Sequence, residues 1–323
     1  MGLEKIDFPP ASAEVWVINT GSRLLSSDDA VRNVKKAVAL LKEWKADYYY
    51  KKIDSTLRGN LGAELEAFID ELDLETLPLC AAFPEMGRNT LGGVQYVNGV
   101  RLEETSYASD IASPVTSSKI EDILSEQMRN TTQVKILDAS SQDDIKKLAL
   151  SESGYAFAGA AALAGSLADI WIKDFSRLSP FTPQPGPVMI VSGSRNPVSL
   201  EQAHYWKSLG FLYLDSASDR EFNEDKDILL TTPEAESASA LKKLVSLAAR
   251  LYLSGKWRNI ILNGGETASG FMNEIAINNL ELKRSLMPGI ALTRSGDSCF
   301  VLKPGGYGSL DTITKLADMI RGS

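Results

Sequence analysis

Histidine and cysteine are scarce in this sequence: 323 residues contain one histidine, His204, and two cysteines, Cys80 and Cys299. Zinc sites need clusters of Cys and His, and small disulfide-bonded folds need several Cys pairs, so both classes are excluded. So few cysteines are typical of a protein of the reducing cytoplasm, which is the location we expect. Carboxylates, Lys, Arg, hydroxyl groups and backbone amides must therefore supply almost any chemistry.

The single histidine lies in a predicted helix. Residues 199–209 have helical spacing, with a Ser199/Gln202 capping box at the start and Gly210 after the end. A histidine in the middle of such a helix is more often a surface or packing residue than a general base. A catalytic triad built on His204 is therefore not expected.

Long apolar runs and basic clusters are also missing. The uncharged stretch 153–168 is rich in Gly and Ala and shorter than the roughly 20 apolar residues of a membrane span. The chain has 34 Lys and Arg against 42 Asp and Glu, a net charge of −8, and no run of four basic residues. This charge argues against nucleic acid as a partner. No signal peptide is visible at the start, so we expect a globular protein without a membrane partner.

Proline divides the chain. Four prolines between positions 180 and 187 remove the amide donors that a helix or a central strand needs. We interpret 179–187 as a linker between an N-terminal domain, 1–178, and a C-terminal domain, 188–323. The length of the chain agrees with two domains.

Both halves alternate short apolar runs with helical periodicity. The N-terminal half has Val31, Val34, Val38 and Leu41 at helical spacing between two predicted strands, 15–18 and 48–53. Further strands are predicted at 134–137, 188–191, 211–214 and 259–262. Strands that alternate with helices predict an α/β fold, here two α/β domains with mainly parallel sheets.

Ligands of parallel sheets bind beyond the carboxyl ends of the strands, so the loops there matter most. Two such loops in the first half, 51–60 and 83–88, are rich in charged groups. Arginines suit carboxylates, and with Asp54 and the hydroxyls nearby they favour a site for a small polyhydroxy acid. An ordinary Asp/Arg pair in a solvated turn would give the same pattern.

Three loops of the second half, 192–196, 263–270 and 303–308, are rich in glycine. Free amides and a helix N-terminus in such loops can bind phosphate. None has the spacing of a P-loop or of the dinucleotide fingerprint, and the glycines of any one loop could simply turn the chain. Three loops in one half favour a phosphate ligand.

These segments resemble the four-carbon acid sugar kinase family, long catalogued as a domain of unknown function. The matching segments occur in the same order along nearly the whole chain: Asn19-Thr20-x-Ser22-Arg23, Lys52-Ile53-Asp54-Ser55-Thr56-Leu57-Arg58-Gly59-Asn60, Phe83-Pro84-x-x-Gly87-Arg88, Gln95-Tyr96-Val97-Asn98-Gly99-Val100, Ser192-Gly193-Ser194, Gly264-Gly265-Glu266-Thr267 and Lys303-x-Gly305-x-x-Gly308.

The resemblance implies ATP-dependent phosphorylation of a four-carbon acid sugar such as erythronate, threonate or 3-oxo-tetronate, in a cleft between the domains. It implies a nucleotide site in the C-terminal domain, with Mg²⁺ bridging the phosphates through ligands that the sequence does not identify. The residues assigned to the acid are Arg23, Lys52, Asp54, Ser55, Arg58 and Arg88, of which Lys52, Asp54 and Arg58 are the catalytic candidates. The residues assigned to ATP are Ser192, Ser194, Gly264, Gly265, Glu266, Thr267, Gly305 and Gly306.

One family motif is not found. Members begin with a strand that ends in Asp-Asp-x-Thr-Gly, whereas here Asp28 and Asp29 are predicted to open a helix. Loss of that strand predicts a gap at the centre of the first sheet. Three hypotheses follow: an acid sugar kinase, with a misplaced start or with retained activity; an inactive descendant that binds nucleotide or acid as a sensor or partner subunit; and a product that does not fold alone. A homodimer is one expected assembly.

Overall fold

A computed structural model describes residues 13–110, 113–172, 185–215, 226–232 and 239–321. These residues form two compact units, an N-terminal one up to residue 172 and a C-terminal one from residue 185. Of the predicted linker, residues 179–184 lie outside the described ranges. Within those ranges no helix combines the length and apolar character needed to cross a membrane.

The N-terminal unit alternates helices and strands. Its helices are α1 (Ser27–Glu43), α2 (Leu61–Leu72), α3 (Ile120–Gln127), α4 (Gln142–Ser151) and α5 (Ala161–Trp171). Its strands are β1 (Tyr49–Lys52), β2 (Leu77–Cys80), β3 (Arg88–Leu91), β4 (Val94–Val97), β5 (Val100–Arg101), β6 (Val134–Ile136) and β7 (Ala156–Gly159).

The local sequence determines where helix α1 begins and which face is buried. Its N-cap is Ser26, whose hydroxyl accepts from the Asp29 amide at 3.2 Å, and Asp28 and Asp29 occupy the first turn, where the helix dipole favours negative charge. Val34 and Val38 lie buried on one face. The predicted helix at this position is confirmed.

The described strands of this unit form two sheets. Four parallel strands lie in the order β1-β7-β2-β6, and β3, β4 and β5 form a separate antiparallel sheet. Leu79 of β2 pairs with Ala158 of β7, and each strand of the parallel sheet is bonded to the next. The gap predicted at the centre of this sheet is therefore not present among the described strands.

The predicted strand at 15–18 is wrong. The structure has no strand there, and Val15 and Val17 are 60% and 90% exposed. A short apolar run becomes a strand only where a neighbouring strand takes its hydrogen bonds and its side chains find cover. Trp16 instead packs edge-on against Trp44, with ring centroids 5.8 Å apart.

The C-terminal unit contains the remaining elements. Its strands are β8 (Val188–Ser192), β9 (Leu212–Asp215), β10 (Ile228–Thr231), β11 (Asn259–Asn263), β12 (Glu281–Met287), β13 (Ile290–Ser295) and β14 (Ser298–Lys303). Its helices are α6 (Pro197–Ser208), α7 (Ala240–Leu253), α8 (Gly265–Glu274) and α9 (Thr312–Arg321).

One sheet runs through this unit in the order β12-β13-β14-β11-β8-β10-β9. The five strands from β14 to β9 are parallel, as predicted, whereas β13 and β12 add an antiparallel edge that the sequence analysis did not predict. Successive residues of β8 enter different core clusters. Val191 packs with Leu244 of α7 and Phe271 of α8, while Ile190 packs with Trp206 of α6. Both faces of the sheet are therefore covered, which is why its strands are continuously apolar.

Helix α6 starts two residues earlier than predicted and without the predicted capping box. Its N-cap is Asn196, whose side chain accepts from the Val198 amide at 3.0 Å, and Pro197 follows at the first helical position. Ser199 lies inside the helix and is buried, so its hydroxyl is available for a tertiary contact. His204 is exposed on the helix surface, as expected.

Candidate functional site

A polar turn follows strand β1 in the N-terminal unit. The Ile53 amide donates to the Gly159 carbonyl at 2.9 Å, which anchors the end of β1 to β7. Asp54 comes next, and its Oδ1 accepts from the Thr56 amide at 3.1 Å and from Thr56 Oγ1 at 2.9 Å. Leu57 then adopts a positive φ of 55°. The Asp54 side chain thus closes the turn that connects the sheet to α2.

Arg58 links this turn to a distant segment. Its Nε donates to Asp54 Oδ2 at 2.7 Å, and its Nη1 donates to Asp110 Oδ2 at 2.9 Å. Arg23 Nη1 lies 3.9 Å from the same Asp54 oxygen. The Arg58 pairs with Asp54 and Asp110 are largely shielded from water, with Asp54 and Arg58 each 20% exposed, so they are stronger than surface ion pairs, whereas Arg23 is half-exposed.

The charge state of this cluster follows from those contacts. Burial alone would raise the pKa of Asp54, but the Thr56 amide and the Arg58 guanidinium outweigh it and hold the pKa below its usual 3.8. Asp54 is therefore ionised at neutral pH and is a weak proton acceptor. Desolvation lowers the pKa of the Lys52 ammonium from 10.5, and its Nζ donates to the Ile53 carbonyl at 2.6 Å.

Tyr107 connects two of the predicted arginines. The Arg58 guanidinium carbon lies 5.2 Å from the centroid of the Tyr107 ring, a cation–π contact, and Arg88 Nη2 donates to the Tyr107 hydroxyl at 3.2 Å. The Arg88 Nε is buried and has no hydrogen-bond partner. A buried donor without a partner is energetically costly.

A cavity of about 280 Å³ lies beside this cluster. Its lining includes Arg23, Gly59 and Asn60, and a Cβ at Gly59 would lie 2.7 Å from Arg23 Cγ. Glycine at 59 therefore lets the Arg23 stem pack close to the turn. The Ser55 carbonyl accepts from Gln95 Nε2 at 2.8 Å, which ties the turn to β4.

The structure joins Arg23, Asp54 and Arg58 directly and Arg88 through Tyr107. Tyr107 and Asp110 were missed by the sequence analysis. Both lie about 50 residues from Arg58 in a segment without a chemical motif, so no pattern in the sequence pointed to them.

The C-terminal unit has a row of buried polar residues at the carboxyl ends of four parallel strands. We call Lys303, Asn263, Ser192 and Thr231 the polar row; they end β14, β11, β8 and β10 and are directly opposite one another in the sheet. Lys303 Nζ donates to Asn263 Oδ1 at 2.9 Å, and Asn263 Nδ2 donates to Ser192 Oγ at 2.9 Å. Thr231 Oγ1 donates to the Ser192 carbonyl at 3.0 Å. Of this row the sequence analysis assigned only Ser192 to the site.

The three glycine loops pack against one another next to the polar row. A Cβ at Gly305 would lie 2.1 Å from Ser194 Oγ, and one at Gly264 would lie 3.2 Å from Ser194 Cβ. A Cβ at Gly193 would lie 2.7 Å from Thr267 Oγ1. The structure therefore brings the three loops together, with the Ser194 and Thr267 side chains packed closely onto glycines of the neighbouring loops.

Helix α8 begins inside this cluster. Gly264, with φ 109°, is its N-cap, and no side chain caps the helix, so the amides of its first turn lack intrahelical acceptors. Thr267 Oγ1 accepts from the Gly193 amide at 3.2 Å, and Glu266 lies exposed in the first turn, as does Gly265. Free amides at a helix N-terminus are suited to phosphate oxygens.

These residues fit a nucleotide phosphate better than a dedicated metal site. Side chains of one loop pack onto the glycines of the next, and the free amides at the start of α8 are donors of the kind that a phosphate group needs. Among the residues described, no group of three His, Cys, Asp or Glu side chains could hold a metal ion. Mg²⁺ bound to nucleotides usually needs only one or two carboxylates besides the phosphates, and Glu266 is a carboxylate at this position.

Two family profiles divide the chain in the same way. One, described as a sugar-binding N-terminal domain, matches residues 3–162, and the other, described as a nucleotide-binding C-terminal domain, matches residues 211–313. Together they span most of the chain.

Several curated kinases are similar to this chain. A D-threonate kinase of Bordetella bronchiseptica is 28% identical over 99% of this chain and 90% of its own. A 3-oxo-tetronate kinase of Pectobacterium atrosepticum is 23% identical over 96% of this chain and 90% of its own. A D-erythronate kinase of Heliobacterium modesticaldum is 39% identical over 36% of this chain and 27% of its own.

A crystal structure of a Haemophilus influenzae protein has the same fold, with a TM-score of 0.77 over 93% of this chain and 88% of its own at 18% identity. With the two profiles, these matches cover both units. The chain therefore belongs to the four-carbon acid sugar kinase family, a family of kinases.

Proposed function

We propose that this chain transfers the γ-phosphoryl group of ATP to a hydroxyl of a four-carbon acid sugar of the threonate, erythronate or 3-oxo-tetronate class. The observation that carries the proposal is the cluster of three glycine loops beside the polar row, in the half of the chain that matches a nucleotide-binding profile. The arginine cluster of the other half, which matches a sugar-binding profile, supports an anionic substrate.

The acid binds in the N-terminal unit. Arg23 offers donors to a carboxylate at the cavity that it lines, and Arg88 adds positive charge through its contact with Tyr107, while Asp54 and Asp110 hold Arg58 in place between them. Because Asp54 is a weak base, its role is to orient the arginine rather than to take a proton. Phosphoryl transfer through a loose transition state needs little prior deprotonation of the hydroxyl, so positioning and charge neutralisation are sufficient. Lys52 contributes positive charge to the transferring group.

The nucleotide binds in the C-terminal unit. Amides of the loops containing Ser194, Gly264–Gly265 and Gly305–Gly306 donate to its phosphates, and Glu266 and Thr267 lie at the start of α8 beside them. ATP would supply the phosphoryl group, and Mg²⁺ bound with it would neutralise charge on the phosphates. A homodimer and a cytoplasmic location remain predictions from the sequence.

The test is ADP release from MgATP by the purified chain with D- and L-threonate, D- and L-erythronate and 3-oxo-tetronate. We expect turnover with at least one acid, and a large loss of kcat/KM in Asp54→Asn. Asp143→Asn, an exposed carboxylate in the first turn of α4, is the matched control and should behave as wild type. ADP binding without turnover on any acid would instead favour an inactive descendant that binds nucleotide.

A further inference from the structure

Lys303 is a buried cation whose partners are all neutral. Its side chain is 2% exposed, and its Nζ donates to Asn263 Oδ1 and to the carbonyls of Pro304, at 3.1 Å, and Gly305, at 3.5 Å. No carboxylate in the described ranges forms a salt bridge with it. Desolvation lowers its pKa from 10.5 to about 8. Burying an ammonium without a counter-ion destabilises the fold, so packing alone does not account for a lysine at this position.

The hydrogen bonds of Lys303 fix the direction of two peptide groups. In a trans peptide the carbonyl and the following N–H point in opposite directions, and the described residues contain no cis peptide. Because the carbonyls of Pro304 and Gly305 point inward to Nζ, the amides of Gly305 and Gly306 point away from the polar row. Neither amide donates a hydrogen bond within the described part of the chain.

Ser199 is a second anchor of the same loop. Its buried hydroxyl, on the first turns of α6, donates to the Gly305 carbonyl at 2.7 Å. Lys303 and Ser199 thus hold this carbonyl from two elements that are far apart in sequence. Two successive amides held in one direction form a binding site for an anion.

We propose that Lys303 is the positioning residue of the nucleotide site: it holds the carbonyls of Pro304 and Gly305 inward so that the Gly305 and Gly306 amides face the phosphates of the nucleotide. This rests on the proposed function, because the nucleotide supplies the anion. Lys303 acts through the loop, since its own donors are occupied by Asn263 and the two carbonyls. Burial of this ammonium without a counter-ion is destabilising, but it preorganises two amide donors.

The experiment compares the full-length wild type with Lys303→Met, which keeps the length of the side chain and removes its donors and charge. Lys315→Met is the matched control, because Lys315 is exposed on α9 and pairs with Asp311. The measurements are ADP affinity by calorimetry, the melting temperature without ligand, and kcat and KM for ATP and for the acid.

We expect Lys303→Met to bind ADP about tenfold more weakly, as loss of a hydrogen-bonded charged anchor would produce. The KM for ATP should rise with it, while the KM for the acid and the melting temperature without ligand should not worsen. Ser199→Ala should weaken ADP binding by roughly two- to threefold, because it removes the weaker, uncharged anchor. Lys315→Met should match wild type in every measurement.

Equal ADP affinity in the wild type and Lys303→Met would overturn this inference and leave the proposed function intact. A lower melting temperature of Lys303→Met without ligand would also overturn it, since the lysine would then support the fold. Wild-type affinity in Ser199→Ala would contradict the anchoring of the loop through its carbonyls. A wild type that binds no ADP would overturn the proposed function itself.

Discussion

The candidate sites of the two units differ in whether side chains or backbone groups supply their polar atoms. The N-terminal site is a set of charged side chains from separate segments, in which Asp54 and Asp110 hold Arg58 through ion pairs. The C-terminal site is mainly backbone: glycine loops onto which Ser194 and Thr267 pack closely, next to a buried row with a single charge, Lys303.

This difference determines how each site can fail. Removing one charge from the N-terminal cluster leaves its partners unpaired and mutually repelling, so the effect spreads through the cluster. Adding one methyl group to a glycine of the C-terminal loops displaces a loop that cannot move without losing its contacts. We therefore expect removal of a charged group to damage the N-terminal site most, and addition of a methyl group to damage the C-terminal site most.

The largest effect is expected from Arg58→Met. It leaves Asp54 and Asp110 without their shared cation, and kcat/KM for the acid should fall about a hundredfold, equivalent to about 3 kcal/mol. ADP affinity should be unchanged, because the proposed nucleotide site lies in the other unit. Arg32→Met, which removes an exposed arginine paired with Asp29 on α1, is the control. Loss of ADP affinity in Arg58→Met would contradict the separation of the two sites.

A smaller effect, on the other unit, is expected from Gly305→Ala. The new Cβ would lie 2.1 Å from Ser194 Oγ, so the loop must shift, and ADP binding should weaken by roughly tenfold to thirtyfold. Ser194→Gly in the same chain should recover part of the loss because it removes the clashing atoms. Gly165→Ala is the matched control: no atom lies within 4 Å of its Cβ position on α5. A calorimetric titration with ADP in which Gly305→Ala equals wild type would show that the loops are not tightly packed.

Lys303 should make the stability of the C-terminal unit increase with pH in the alkaline range. Its pKa is about 8 in the folded chain and 10.5 in the unfolded chain, so the unfolded state binds more protons between those values. The cost of burying the charge is therefore present in full below pH 8 and is relieved as the pH rises toward 10.5. Melting temperatures of wild type relative to Lys303→Met should rise from about pH 7 to pH 10. A constant difference across that range would contradict the lowered pKa.

The smallest effect is expected at acidic pH and concerns the contribution of Asp54 to stability. The pKa of Asp54 is lower in the folded chain than its usual 3.8, so its contribution to stability is present above that value and is lost as the pH falls through the folded pKa. The difference in melting temperature between wild type and Asp54→Asn should therefore shrink as the pH falls below about 4. A difference that grows on acidification would show that Asp54 is not held by Arg58.

Some of these residues could be found from the sequence. The turn 54–58 and the three glycine loops were identified because each has several charged, hydroxyl or glycine residues directly after an apolar run. In the structure these loops lie at the ends of strands, as expected. Ser199 shows the limit of local reasoning: its spacing from Gln202 resembles a cap, but Asn196 and Pro197 start the helix and leave the hydroxyl to bind Gly305.

By itself the sequence determined the α/β character of both units, the helices near 31–41 and 199–209, the strands near 48–53, 134–137, 188–191, 211–214 and 259–262, and the loops that carry charge or glycine, because these depend on periodicity and local backbone preference. Only the tertiary structure decided that 15–18 is not a strand, that Tyr107 and Asp110 join Arg58, and that Lys303 lies buried beneath the glycine loops. Those outcomes depend on which distant segments supply cover, charge or a hydrogen-bond acceptor, and no local pattern contains that information.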